Sequence, residues 1–149
     1  MRNNARGVVV ILAITADQKL ILVEQFRVPV KARVIELPAG LVGDIMGKEN
    51  EGLDVAAKRE LLEETGYEAG QMEYIMEGPS SAGLSSEIIT IFRARVLQKV
   101  SKGGGDKSEN IVIHAVPLAE LRPWLSSKTK AGFMVDYKIY AALYLISSL

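Results

Sequence analysis

No cysteine occurs in this 149-residue chain. That absence excludes disulfide staples and thiolate metal sites, and gives no sign of an oxidising compartment. A single histidine, His114, excludes a multi-histidine metal centre within one chain. Neither sign of charge prevails: Lys plus Arg number 18 and so do Asp plus Glu. No global field therefore draws the protein to nucleic acid or to an anionic membrane. No apolar run reaches the roughly 20 residues of a membrane-spanning helix. The expectation is one domain over residues 1–149, long enough to bury a respectable core, in the cytoplasm.

Met1 to Ala16, with Arg2 and Arg6 ahead of the apolar run Gly7 to Ala13, has the outline of a signal peptide. The turn-like Ala16-Asp17-Gln18 and the renewed apolar, β-branched pattern from Lys19 favour a hairpin with a buried first strand. Gly7 to Thr15 and Lys19 to Arg27 are thus read as paired strands, the second broken by Val28-Pro29-Val30. Further strands are expected over Val34–Leu37, Gln71–Glu77, Glu87–Val96 and Ile111–Val116. Loops are expected over Leu41–Asn50, Gly78–Ser86 and Gln98–Asn110, the last holding Gly103-Gly104-Gly105. A short helix over Leu118–Trp124 and a strongly apolar one over Val135–Leu149 close the chain. Strands outnumber helices and short turns link them, so the class is α+β, a mixed sheet with packed helices.

The most unusual stretch is Gly52 to Tyr67. Leu53, Ala57 and Leu61 recur at helical spacing and Gly66 supplies a stop. Glu60, Glu63 and Glu64 then crowd into an arc of roughly 100° on the same helix. Like charges at that spacing oppose helix formation by a few tenths of a kcal/mol per pair. Arg59 offsets part of this through an i,i+4 pair with Glu63, but one cation does not balance three carboxylates. A hard divalent cation such as Mg²⁺ would, since it prefers oxygen ligands and keeps waters or substrate phosphates in its shell. The plainer account of the same run is a solvated acidic face.

Glu51, followed after seven residues by Arg59-Glu60-Leu61-Leu62-Glu63-Glu64-Thr65-Gly66-Tyr67, resembles the signature of the Nudix hydrolase family at every fixed position. The signature's leading glycine is matched by Gly40, with ten residues between it and Glu51 where the family has five, which marks an insertion within Leu41–Asn50. The resemblance covers nearly the whole chain and implies an α/β/α sandwich in which a loop–helix–loop carries the acidic helix. It implies hydrolysis of nucleoside diphosphates linked to a further moiety. It also implies Mg²⁺ as cofactor, with Mn²⁺ able to substitute. The metal ligands it implies are Glu60, Glu64, the Ala39 carbonyl and Glu109, with Glu63 nearby, Arg59 orienting Glu63 and Glu51 anchoring the preceding loop.

Val23-Glu24-Gln25-Phe26-Arg27 and Glu36-Leu37-Pro38-Ala39-Gly40 are similar to the branch that cleaves ADP-ribose and nucleotide sugars. Arg27 there reaches substrate phosphate, a task suited to the rigid guanidinium fork. Glu36 and Glu87 join it as substrate-binding residues, Glu87 toward the terminal sugar. Ala82 stands where the branch usually has proline, with Pro79 three positions earlier, so the likeness is to nucleotide-sugar enzymes as a group. Lys107 stands where some relatives carry a general-base glutamate, and a protonated lysine cannot take a proton from water. The base is left open between Glu63, Glu109 and a side chain from elsewhere. His114, in an alternating strand, is read as structural.

The expected partners are a small nucleotide-sugar substrate and a second copy of the chain. The dimer contact is assigned to the apolar last helix or to the apolar first strand. No nucleic-acid or membrane partner is expected. Two rivals stand: hydrolysis of oxidised nucleoside triphosphates or dinucleoside polyphosphates, and a nucleotide-binding module without turnover.

Overall fold

An apolar run without alternation, such as Val8–Ala13, suits a strand covered on both faces. In the computed structural model, which describes residues 7–43, 47 and 51–148, this segment is β1, and Val9 through Ala13 have no exposure at all. Met1 to Arg6 lie outside the described residues. A tight turn leads to β2 (Lys19–Arg27), with Thr15 Oγ1 accepting the Lys19 N–H at 3.0 Å.

The two strands do not form the expected hairpin. They share one bridge, Ile14 to Leu20, and then part. β1 pairs antiparallel with β4 (Ala39–Leu41) and parallel with β6 (Ile88–Lys99). β2 pairs antiparallel with β3 (Ala32–Glu36) and with β7 (Val112–Pro117). The reason is burial: both strands are apolar on successive residues, so each needs cover on two faces. Helices packed on both sides of the strands provide that, α1 on one and α2 with α3 on the other, where one two-stranded ribbon could not. The result is two mixed four-stranded sheets in place of the single one expected. Their orders are β4-β1-β6-β5 and β7-β2-β3-β8, where β5 is Tyr67–Pro79 and β8 is Met134–Val135.

The core divides accordingly. Val9, Ile11 and Ala13 of β1 pack with Ala56, Ala57 and Leu61 of α1 (Leu53–Thr65). Val10 and Leu12 face the other way, with Leu20, Leu22 and Ile35 of the second sheet. That cluster also takes in Leu121 and Leu125 of α2 (Leu121–Lys130) and Ile139 and Ala142 of α3 (Lys138–Ser148). Helix, sheets and helices therefore stack in three layers, the α/β/α arrangement expected.

Boundaries differ where a neighbour outweighs the local pattern. α2 runs past Trp124 to Lys130, since its polar last turns need no apolar stripe on the solvent side. Its Pro123 sits in the first turn, where the missing N–H removes no helical bond. α3 begins at Lys138 and not Val135, because Met134 and Val135 pair in parallel with Val34 and Ile35. Asp136 then caps the helix, its Oδ1 accepting the Lys138 N–H at 2.9 Å. The first strand is ruled out as a dimer surface by its complete burial, whereas Tyr137, Tyr140 and Tyr144 of the last segment are exposed. Among the described residues no helix is long and apolar enough to cross a membrane.

Candidate functional site

α1 is placed by its ends. Gly52 caps its start, and at its end Gly66 turns left-handed at φ 74° and returns its N–H to the Leu62 carbonyl at 2.8 Å. The glycine loop after β6 then docks on the helix C-terminus. Gly104 and Gly105 donate their N–H groups to the Glu64 and Glu63 carbonyls at 2.8 and 2.9 Å. Lys99 Nζ reaches the Thr65 carbonyl at 2.6 Å. Gly103, Gly104 and Gly105 all have positive φ, and a Cβ on Gly103 would collide with the backbone of Thr65. This docking delivers Glu109 to the site, with the Asp106 N–H holding its Oε2 at 3.0 Å.

On the helix, Glu60 and Glu64 lie about 40° apart, with Glu63 roughly 60° away on the far side of Glu60. α1 turns the Glu60–Glu64 side toward β4. Glu64 is 5% exposed and accepts the Ala39 N–H at 3.2 Å. Burial pushes its carboxyl up to about 8, against the Ala39 hydrogen bond and with the charges of Glu60, Glu109 and Glu36 adding to the rise. Gly40 makes room for Glu60, since a Cβ there would overlap the Glu60 carboxylate.

Arg59 knits the acidic segment from beneath. Its Nη2 and Nε hold Glu51 at 2.6 and 3.2 Å, while Nη1 reaches Glu60 at 2.7 Å and Glu63 at 3.3 Å. The hydrogen bonds it donates to Glu51, above all, raise its pKa further above the usual arginine range, so it is a fixed cation. Glu51 and Arg59 thus brace the helix start, and Arg59 holds Glu51 and Glu60 more closely than Glu63.

A cleft of about 490 Å³ opens between α1, β4, β2 and the start of α3. Glu36, Glu60, Glu64, Glu87 and Glu109 line it, with Arg27 and Lys138 as its cations and Val8, Val10 and Ile89 as part of its floor. Of the sequence-predicted residues it therefore gathers Arg27, Glu36, Ala39, Glu60, Glu64, Glu87 and Glu109. It does not gather Glu63, whose side chain is 51% exposed at the rim, or Arg59. Glu36, in the cleft wall, receives Arg27 Nε and Nη2 at 2.8 and 2.9 Å, a bidentate pair. Lys107 is not among the lining residues. His114 lies against Glu24 and the Trp124 ring, the structural role expected.

Glu87 also borders a recess of about 310 Å³ lined by Gly7, Val8, Leu41, Ser85, Ser86 and Ile88. Asn50 and most of the insertion after Gly43 lie outside the described residues. Sequence reasoning missed Lys138 and Gln25 as cleft residues. Gln25 was within reach, since it shares a strand face with Arg27 two positions on.

The donor set fits a hard divalent cation. Among the described residues no three carboxylate or histidine groups form a ready cage. Mg²⁺ does not need one, as one or two carboxylates with waters and substrate phosphates suffice. Glu60 and Glu64, beside Ala39, are the carboxylates that could supply them, and burial first and the neighbouring carboxylates second keep the Glu64 carboxyl raised.

Comparison with known proteins bears on the family and the fold. A model of the NUDIX domain matches residues 4–141. Over 123 residues the chain is 36% identical to the methanol dehydrogenase activator of Bacillus methanolicus, covering 82% of this chain and 64% of that protein. It is 32% identical over 136 residues to the ADP-ribose pyrophosphatase of Bacillus subtilis (strain 168), covering 88% and 71%. The GDP-mannose pyrophosphatase of Escherichia coli (strain K12) is 29% identical over 126 residues, covering 79% and 63%. The chain thus spans just under two thirds of the length of the first and third of these relatives. A crystal structure of an ADP compounds hydrolase superposes with a TM-score of 0.74 at 25% identity, covering 95% of this chain and 71% of that one.

Proposed function

The chain belongs to the Nudix family, and on that premise we propose that it hydrolyses the pyrophosphate bond of nucleoside diphosphate sugars. ADP-ribose is the favoured substrate, giving AMP and ribose 5-phosphate, and the cofactor is Mg²⁺, with Mn²⁺ as a substitute. One observation carries the reading: among the described residues, five carboxylates and two cations line a cleft sized for a nucleotide. Such a wall repels a diphosphate until divalent cations enter with it. The relatives' names, an ADP-ribose and a GDP-mannose pyrophosphatase, supply the substrate class.

Glu60, Glu64, Glu109 and the Ala39 carbonyl are the groups that would hold the cation. When bound, a divalent cation neutralises charge on the phosphates and lowers the pKa of a coordinated water. Arg27, already aimed by Glu36, binds phosphate. Glu109 is the better placed of the two candidate bases, because it faces the cleft and Glu63 does not. Water adds to one phosphorus, the bridging oxygen leaves with the other phosphate, and the proton passes to the base. Glu87, between cleft and recess, contacts the sugar.

The same reading places the protein in the cytoplasm as a homodimer joined through the exposed Tyr140 and Tyr144 face of α3. Light scattering that gives the monomer mass at micromolar concentration removes the dimer. A second reading comes from the relative named as activating a dehydrogenase. Many dehydrogenases use nicotinamide dinucleotides, which carry the same pyrophosphate linkage. The deciding experiment is a product screen with Mg²⁺ or Mn²⁺, with and without chelator. Its panel holds ADP-ribose, GDP-mannose, a nicotinamide dinucleotide and oxidised nucleoside triphosphates. Metal-dependent release of two monophosphates from ADP-ribose is expected; inorganic pyrophosphate from triphosphates alone sinks the proposal.

A further inference from the structure

We propose that Lys99 is a positioning residue for Glu109: its ammonium fastens the loop that carries this carboxylate to the C-terminal carbonyls of α1. The inference rests on the hydrolytic reading of the cleft and names a residue that neither lines the cleft nor belongs to the acidic helix. An α-helix leaves its last four carbonyls without partners along the helix. In α1 these belong to Leu62, Glu63, Glu64 and Thr65. The Gly66 N–H meets the first at 2.8 Å, and the N–H groups of Gly105 and Gly104 meet the next two at 2.9 and 2.8 Å. The carbonyl of Thr65 accepts Lys99 Nζ at 2.6 Å. That link alone is made by a side chain.

Charge gives that link its weight. The C-terminal end of a helix carries partial negative charge and disfavours carboxylates. α1 nevertheless has Glu63 and Glu64 in its last turn and no basic residue there. Lys99 brings a cation to this end from β6, where the ladder with β5 sets it opposite Tyr67. Its Nζ lies 4.9 Å from the centre of the Tyr67 ring, a second contact that keeps the ammonium at the helix end. A hydrogen bond from a charged donor is also stronger than one from a neutral amide.

The consequence reaches the cleft through one short loop. After Lys99, the N–H groups of Val100 and Ser101 both meet the Gly66 carbonyl, at 2.9 and 3.2 Å. This approach needs a glycine, since a Cβ on Gly66 would overlap the Ser101 carbonyl. Gly105, docked on Glu63, stands against Glu109, where a Cβ would overlap the carboxylate. The Asp106 N–H then holds Glu109 Oε2 at 3.0 Å, and the Glu109 N–H returns to the Asp106 carbonyl at 3.2 Å. The docked loop thus sets the position of Glu109, and the loop is itself set by the helix that carries Glu60 and Glu64. Lys99 is the charged fastening between the two.

The test compares the whole wild-type chain with Lys99→Met, the rescue variant Lys99→Arg, Glu109→Gln and the double variant of Lys99→Met with Glu109→Gln. Lys130→Met removes the same charge from the exposed end of α2 as a control. Steady-state kinetics use ADP-ribose with Mg²⁺, and amide hydrogen exchange follows Gly104 and Gly105. In Lys99→Met, kcat is expected to fall at least tenfold with KM changed less than threefold. Exchange at both glycines speeds up at least tenfold, while Ala57 and Leu61 in mid-helix keep wild-type protection. Lys99→Arg recovers most of both losses, and Lys130→Met matches wild type. In the Glu109→Gln background, Lys99→Met lowers the residual rate less than twofold, since a residue that acts through Glu109 has nothing left to position. Three results overturn the proposal: a Lys99→Met kcat within twofold of wild type, the full loss repeated on top of Glu109→Gln, or unchanged exchange at the two glycines. Should Lys99→Met fail to fold, Lys99→Gln goes through the same comparison. If the wild type cleaves no nucleotide sugar, the hydrolytic reading fails, and exchange at Gly104 and Gly105 still decides whether Lys99 fastens the loop.

Discussion

Two glutamates on opposite sides of the second sheet share the same burial and differ in almost everything else. Glu24 is 7% exposed and Glu64 5%. Burial alone would raise both. Around Glu24 that rise is outweighed by hydrogen bonds from His114 and Arg33, at 3.0 and 2.6 Å, and the carboxyl lies below its ordinary value. Lys128 Nζ stands 3.9 Å away, itself resting over Trp124 and Phe133. At Glu64 burial, with three neighbouring carboxylates adding to it, outweighs the one Ala39 N–H, and the carboxyl goes up to about 8. A buried charge surrounded by its counter-ions holds the fold together, while one surrounded by its own sign is kept for something that arrives from outside.

The largest effect that sharpens this contrast is Glu64→Gln. Turnover of ADP-ribose with Mg²⁺ should fall by at least two orders of magnitude, while the melting temperature in chelator stays level or rises. Near-normal rates would remove Glu64 from the metal site. Next comes Glu24→Gln, with the opposite signature. Removing the charge leaves Arg33 and His114 without their anion, so denaturant unfolding should show a loss of about 2 kcal/mol, with kcat within threefold of wild type. A stable but inactive Glu24→Gln protein would break the division between the two clusters.

Smaller again is the dependence of stability on pH in chelator. The Glu64 carboxyl titrates at about 8 when folded and near 4.5 when unfolded, so the native state binds the extra proton between these values. Its contribution is fully present below pH 4.5 and is lost as pH rises toward 8, at up to about 1.4 kcal/mol per pH unit. Glu24 acts in the other direction: its stabilisation is present above pH 4.5 and is lost as pH falls through its lowered value. Melting curves across pH should lose the high-pH decline in Glu64→Gln and keep it in Glu24→Gln. Smallest is Gly40→Ala. The added Cβ displaces the Glu60 carboxylate, and turnover should drop roughly tenfold, about 1.4 kcal/mol, with unfolding nearly unchanged. Full activity in this variant would show that the position of Glu60 is not critical.

Much of this was legible before any coordinates. The spacing of Glu51, Arg59, Glu60 and Glu64 gave the acidic helix and its bracing arginine, and the apolar run before Thr15 gave a buried strand. Where the reading went astray, the cause was a partner distant in sequence. Three glutamates on one arc cannot be ranked until it is known which side of the helix β4 covers. That side holds Glu60 and Glu64, and Glu63 is left at the rim. Nothing in the segment around Glu36 shows that Arg27, nine residues back, pairs with it at the wall of the cleft. Three consecutive glycines mark a polar loop, and only the fold shows that their left-handed turns let the chain cap α1 and carry Glu109 inward.

The sequence by itself determined the catalytic vocabulary: which carboxylates, at what pitch, on what kind of helix. Periodicity and charge are local properties, and a 13-residue helix displays them whether or not it is packed. Only the tertiary structure decided which of those carboxylates share a cleft, that Glu64 is buried among like charges, and that Lys138 from the last helix stands across from them. Desolvation and through-space Coulomb interaction depend on neighbours brought together from distant parts of the chain, and no local pattern contains them.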